Sequence, residues 1–166
     1  MAKGGRAELM ALLQKLSIDT KIVEHPAVFT VETMMPHLEH LEGLVTKNLF
    51  MKDKKKKLYL LTALHSSEVK LNDIAKKVDA KGGLRLADES IMIEKLGVAQ
   101  GCCTPLSLFN DEAKDVHFIC DSILLDENQK MVFSHPMENT ATVGMSIPDF
   151  KKFLAETGHE PISIEF

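Results

Sequence analysis

Lys47 and Asn48 stand side by side in a strand-like stretch, 44–51, with Thr46 before them and Leu49-Phe50 after. A lysine in that setting either points to solvent or projects into a cleft, where its ammonium can hold a phosphate or a carbonyl oxygen. A second group is the loop 97–105, GVAQGCCTP, with Gly97, Gly101 and Pro105 at four-residue steps. Glycine lets backbone pass close to a ligand or take positive φ, and exposed loop amides can donate to a carbonyl or phosphate oxygen. The loop matches neither a Walker motif nor a dinucleotide fingerprint, and a plain turn accounts for it equally well. Cys102 and Cys103 in the same loop could include a nucleophile, which needs a base held nearby; free cysteines are more often small buried fillers. His135 and Asn139 lie four apart around Pro136. An imidazole donates or accepts near neutral pH and an amide does both at once, although Pro and Asn also build ordinary turns. His37 and His40 have the i, i+3 spacing of a shared metal face. Pro36 and the want of further ligands make solvated loop histidines the simpler reading.

The charge pattern narrows the partners. The chain has 166 residues, 24 acidic and 20 basic, for a net charge of −4. A generic nucleic-acid binder resting on overall positive charge is excluded. Yet residues 47–57 (KNLFMKDKKKK) hold six lysines and one aspartate, net +5, so the other 155 residues sum to −9. The lysine run is either a solvated hairpin tip that keeps an edge soluble or a contact for a phosphate backbone. Apolar runs fall far short of the about 18–20 residues of a membrane span, and charged residues interrupt any signal-peptide core near the N-terminus. Three cysteines without a C-x-x-C spacing point to free thiols in a reducing, cytoplasmic setting.

The elements that must position these residues follow from periodicity. Leu9, Met10, Leu12, Leu13 and Leu16 give one apolar helical face over 5–16. A short strand over 21–25 ends at Pro26. Thr30 can cap a helix from Val31 that Pro36 should end or kink. Strands over 44–51 and 58–64 flank a polar hairpin turn at 53–56. Asn72 can cap a helix over 73–78, with Gly82-Gly83 ending that region, and Asp88 a helix over 89–95 closed by Gly97. Strands are expected over 116–120, 131–134 and 141–145, a last helix over 148–157 closed by Gly158, and a half-buried strand in the tail 161–166. Strict βαβ alternation is absent, so the expectation is one α+β domain spanning 1–166, a compact unit with a mixed, largely antiparallel sheet flanked by helices.

Taken together, the segments resemble the YbaK / prolyl-tRNA-synthetase-associated editing domain family, and most closely its free-standing members that hydrolyse alanyl-tRNA(Pro). The resemblance runs through VEHPAVFTVE (23–32), TKNLF (46–50), KDKKKK (52–57), GVAQGCCTPL (97–106), HPMEN (135–139) and FLAETGHEP (153–161). It implies that Lys47 is the family's essential lysine, with Asn48 beside it. It makes Gly97, Gly101 and Pro105 the glycine-and-proline loop, and His135 and Asn139 the His-Pro-x-x-Asn segment. Gln100 stands where free-standing relatives often have proline, and Cys102-Cys103 where Ser-Val or similar is common. The implied activity is deacylation of mischarged tRNA(Pro). Proline's pocket cannot exclude the smaller alanine by binding energy, so a second hydrolytic site is needed. Lys47, Asn48 and Gly101 would be the catalytic set, with amides of the 97–105 loop as oxyanion donors, Lys47 holding the terminal phosphate or ribose region and Asn48 helping to place the ester, while Gly97, Pro105, His135 and Asn139 would bind the substrate. The neighbouring ribose hydroxyl would assist proton transfer. The implied partners are the acceptor end of tRNA(Pro) and prolyl-tRNA synthetase, with no metal or organic cofactor, no membrane and no DNA. Rival readings are another small mischarged amino acid such as cysteine, a non-catalytic tRNA-binding adaptor, and a hydrolase using Cys102 or Cys103.

Overall fold

The computed structural model describes residues 3–166. Its elements in chain order are α1 (Arg6–Lys15), β1 (Lys21–Glu24), α2 (Val31–Leu38), β2 (Leu44–Asp53), β3 (Leu58–Leu64), α3 (Leu71–Lys77), β4 (Leu84–Leu86), α4 (Glu89–Leu96), β5 (Val116–Asp121), β6 (Met131–Ser134), β7 (Ala141–Ser146), α5 (Ile147–Thr157) and β8 (Ile162–Ile164). Two 3-10 helices, Pro105–Asn110 and Ser122–Leu125, flank β5.

The sheet is mixed, in the order β1-β7-β6-β2-β3-β5-β8, with β4 also paired to β2. Four pairings are antiparallel (β1·β7, β2·β3, β2·β4, β6·β7) and three are parallel (β2·β6, β3·β5, β5·β8). The continuous apolar run LYLLTAL of β3 is explained by its central place, covered on both faces. Strand alternation splits it. Leu58 and Leu60 join Phe50 and Phe118 in a core under α1, α4 and α5, where Leu9, Leu13, Leu96, Phe150 and Phe153 are buried. Tyr59 and Leu61 join Met51 and Ile119 in a second core under Ile74 of α3. A third, smaller core packs Met34 and Leu38 of α2 on Val45 and Phe133.

Most expected elements occur where periodicity puts them, and the exceptions have local causes. Thr30 caps α2 as expected, its hydroxyl accepting the Thr33 amide at 3.2 Å. Pro36, however, neither ends nor delimits α2, which runs on to Leu38 because Met34 and Leu38 are buried on one face. His37 is therefore helical and stacks on His25 at 5.4 Å; it is not a solvated loop histidine. Asn72 is not a cap: α3 begins at Leu71 with Lys70 in the N-cap position. The strand β4 escaped the periodicity, being only Leu-Arg-Leu; pairing with β2 defines it. The tail strand is confined to Ile162–Ile164, added in parallel to β5. Among the described residues, no helix is long and apolar enough to cross a membrane.

Candidate functional site

The longest strand creates the cleft by being incompletely paired. On one edge, β2 pairs with β3 along Thr46–Lys52. On the other edge it pairs with β6 only at Leu44 and Val45, and with β4 only at Met51–Asp53. The stretch between is an open edge inside the sheet. A cleft of about 520 Å³ lies there, lined by Thr46–Phe50, by Val28–Val31 and Met34 at the start of α2, by Leu86, Ala87, Glu89 and Met92 around α4, and by Gln100, Gly101, Cys103 and His135. That volume is in the usual range of small-ligand sites, about 300–1,000 Å³.

The hydrogen-bond register tells which main-chain groups face the opening. Asp53 N–H donates to Lys57 O at 3.0 Å and His65 N–H to Val45 O at 2.8 Å, so the odd-numbered residues of β2 bond to β3. The even-numbered ones face the other edge, as Phe50 shows by accepting Ala87 N–H at 3.0 Å. The Asn48 amide therefore points into the gap, where neither β6 nor β4 reaches it. Thr46 closes the β6 side, its hydroxyl donating to Phe133 O at 2.7 Å.

Alternation also separates the two side chains that the sequence sets together. Asn48 shares a face with its cross-strand partner Thr62, whose hydroxyl donates to Asn48 Oδ1. Lys47 leaves from the opposite face, and its ammonium donates to the Ser67 carbonyl in the β3–α3 connection. That connection is itself held by Asp121, which accepts from Ser67 Oγ at 2.8 Å and from Leu64 N–H at 3.1 Å. Both residues line the cleft because it is cut through the sheet's edge.

Opposite β2, Gly101 sits at φ 86°, and a Cβ there would lie 2.7 Å from the Phe29 ring. The neighbouring Gln100 amide is occupied by Glu89 Oε2 at 2.7 Å and the Cys102 amide by Ala99 O at 3.0 Å. The Gly101 amide has no acceptor among the described residues. His135 Nδ1–H donates to Ala141 O at 2.9 Å, which leaves Nε2 as an acceptor. Burial lowers the His135 pKa, so the ring is neutral at pH 7. Asn139 stands one step back. Its Nδ2 donates to Val28 O at 2.8 Å while its main-chain carbonyl accepts Val28 N–H at 3.1 Å, a bracket that fixes the loop bearing Phe29. His25 supports the same loop, donating from Nδ1 to Pro26 O at 2.9 Å and bonding Thr142 Oγ1 through Nε2 at 2.8 Å.

Of the seven residues singled out from sequence, Lys47, Asn48, Gly101 and His135 line the cleft and Asn139 braces it. Gly97 and Pro105 do not line it. Gly97, at φ 73°, closes α4, and a Cβ there would meet Lys3 and Asn110. Pro105 is buried at the start of a 3-10 helix. The cysteines lack the character of nucleophiles. Burial pushes the Cys103 thiol up to about 12 and also raises that of Cys102. Among the described residues no three His, Cys, Asp or Glu side chains converge to hold a metal ion. Residue-type reasoning missed Phe29, which is 72% exposed at the cleft mouth, and Leu86, 58% exposed. It also missed the Asn48 main-chain amide, since only pairing register reveals that group.

This arrangement offers the Asn48 and Gly101 amides, a neutral imidazole and a lysine around an open cleft, the parts needed to polarise a carbonyl. Comparison with known proteins gives that chemistry a family. The chain is 53% identical over 163 residues to the mouse (Mus musculus) prolyl-tRNA synthetase associated domain-containing protein 1, covering 97% of this chain and 96% of that protein. It is 29% identical to the prolyl-tRNA editing protein ProX of Acetoanaerobium sticklandii, covering 99% of each. A solved structure described as a candidate trans-editing enzyme for prolyl-tRNA synthetase has the same fold, with a TM-score of 0.70 at 21% identity over 98% of each chain. The sequence model of the aminoacyl-tRNA editing domain matches residues 25–153, a span that takes in β2, the Gly101 loop and His135, and the chain thus belongs to the aminoacyl-tRNA editing domain family.

Proposed function

We infer that the protein is a trans-editing deacylase acting on mischarged tRNA(Pro), with alanyl-tRNA(Pro) as its main substrate. The observation that carries the reading is the open edge of β2, where the Asn48 amide faces the loop of the unpaired Gly101 amide across one cleft. An aminoacyl ester is already activated, so it needs position, oxyanion donors and a route for water rather than a covalent nucleophile. With the ester carbonyl in the gap, water adds to the carbonyl carbon and the two amides receive the developing oxyanion. The carbon–oxygen bond to the ribose then breaks. The ribose oxygen takes one of the water's protons, the neighbouring ribose hydroxyl serving in the relay, and the amino acid leaves as a carboxylate, the second proton passing to solvent.

The side chains serve binding and orientation. Lys47 exchanges the Ser67 carbonyl for the terminal phosphate, and the Asn48 side chain, fixed by Thr62, sets the ester's approach. Neutral His135 presents Nε2 to the substrate's amino group. Asn139 keeps the Phe29 loop in place as one wall. The names of the prolyl-tRNA relatives support tRNA(Pro) as the carrier and prolyl-tRNA synthetase as the source of the error.

The test is deacylation of a panel of mischarged tRNAs by wild type and Lys47→Ala. Alanyl-tRNA(Pro) should be hydrolysed fastest, and the folded variant should lose at least 100-fold, about 3 kcal/mol of transition-state stabilisation. Full activity in folded Lys47→Ala removes the mechanism. A faster reaction with cysteinyl-tRNA(Pro) moves the specificity, and tRNA binding without turnover makes the protein an adaptor.

A further inference from the structure

The cleft accounts for Lys47 but leaves the rest of the lysine run unused. Lys54, Lys55, Lys56 and Lys57 are all exposed at the β2–β3 turn. The one acid within the run, Asp53, is buried and turned inward, its Oδ1 accepting the Lys55 and Lys57 amides at 2.9 and 2.8 Å. None of the four lysines is ion-paired among the described residues. The neighbouring strand extends the patch: Arg85 of β4, also exposed, lies directly opposite Lys52 in the β2·β4 register.

Two features of this patch cost stability. Like charges placed opposite each other across a ladder oppose pairing, by about 0.2–1 kcal/mol, and among the described residues only Asp88, at 3.9 Å from Lys52, offsets the pair. Lys56 occupies the left-handed region at φ 66°, a position that glycine or asparagine would fill without the strain of about 1–2 kcal/mol. Charges at an edge keep it soluble, but that role does not require a lysine in the left-handed region. The patch also leads somewhere. Lys52 is four residues along β2 from Asn48 on the same face, about 13 Å away at the usual strand rise. Leu86 and Ala87, next to Arg85, already line the cleft mouth.

We propose that Arg85, Lys52 and Lys54–Lys57 form a phosphate track for the RNA strand whose 3′ end enters the cleft. The proposal rests on the deacylase reading and names the surface that carries the rest of the substrate. With the remaining 155 residues outside 47–57 summing to −9, a polyanion is held off most of the molecule. This patch offers a local site for counterion release.

The test measures binding of uncharged tRNA(Pro) over a salt series, which needs no turnover. The quadruple variant Lys54→Gln/Lys55→Gln/Lys57→Gln/Arg85→Gln removes exposed charges only, and circular dichroism confirms its fold. Its Kd should rise at least tenfold at 0.1 M salt, and the slope of log K against log salt should flatten by about 3, at roughly 0.7–0.9 for each lost phosphate contact. A control variant, Lys15→Gln/Lys21→Gln/Lys151→Gln/Lys152→Gln, changes net charge equally on α1, β1 and α5 and should shift Kd less than threefold. An unchanged slope in the first variant, or an equal loss in the control, overturns the track. If wild type binds tRNA along the track but hydrolyses no mischarged ester, the deacylase reading fails and the track stands. If wild type hydrolyses the ester and both variants bind alike, only the track fails.

Discussion

Gly101 is where main-chain chemistry and packing meet. It lines the cleft at φ 86°, its amide has no acceptor among the described residues, and its bare Cα lets the Phe29 ring lie against the loop. Alanine there must take a left-handed conformation costing about 1–2 kcal/mol. It must also displace a ring atom 2.7 Å away, which the exposed Phe29 can allow. Gly101→Ala should therefore lose about 1–2 kcal/mol in urea unfolding and far more in function, at least tenfold in deacylation rate, because the amide is re-aimed. An unchanged rate alongside the stability loss would strip Gly101 of its donor role. The same residue shows what sequence can convey. Two glycines and a proline marked the loop, but only the occupied amides of Gln100 and Cys102 show that, of the cleft-lining loop residues, Gly101 and Cys103 keep unpaired amides, while Gly97 and Pro105 lie outside the cleft lining. Lys47 and Asn48 were legible as a pair, yet their neighbouring side chains leave β2 on opposite faces, and it is the Asn48 main chain that faces the opening.

The β2–β3 hairpin is the element on which the site depends, because β2 supplies the open edge and β3 holds its other side. Its turn is organised by one carboxylate. Asp53 Oδ1 accepts the amides of Lys55 and Lys57, while the Lys56 amide donates to Asp53 O at 3.1 Å. Asp53→Ala leaves two tip amides to water and removes the side-chain acceptor on either side of Lys56's strained backbone, while the Lys56 amide keeps its main-chain acceptor. Unfolding free energy should fall by about 1–3 kcal/mol, with Asp53→Asn, which keeps one carbonyl acceptor, losing roughly half as much. Hydrogen exchange at residues 55 and 57 should accelerate in the alanine variant; unchanged protection there would show that the turn is held by strand pairing alone. Elements of this kind were readable because alternation and polar turns are local. The short β4 and the two 3-10 helices were not, since runs of three to six residues carry no clear period and their existence is set by what they pack against.

Across the whole molecule, adjacent residues at the end of the first 3-10 helix fasten both terminal segments of the described chain. Asn110 takes the N-terminal segment, its Oδ1 accepting Gly4 N–H at 3.0 Å and its Nδ2 donating to Gly4 O and Leu96 O at 2.9 Å each. Asp111 takes the C-terminal one, its Oδ2 bonding His159 Nε2 at 2.9 Å just beyond α5. The Asp115 and Val116 amides, at 3.1 and 2.8 Å, complete its shell at the start of β5. Burial pushes the Asp111 carboxyl upward, but the hydrogen bonds from His159, Val116 and Asp115 outweigh it, and its pKa is lowered overall. A carboxylate depressed by folding stabilises the protein fully above its unfolded pKa, about 3.9, and the contribution is lost as pH falls through the lower folded value. Asp111→Asn should thus cost about 2–3 kcal/mol at pH 7, with the difference from wild type shrinking only below about pH 4. Urea unfolding of both proteins from pH 7 to pH 3 measures this, and a difference that stays constant across the series would mean that shape, not charge, makes the clasp. Because the clasp joins α5 and β8 to the edge of the sheet remote from β2, the variant should unfold more easily while its folded form keeps the cleft. Deacylation rate per folded molecule should then stay within about twofold of wild type, and a larger loss would show that the clasp and the open edge of β2 are mechanically connected.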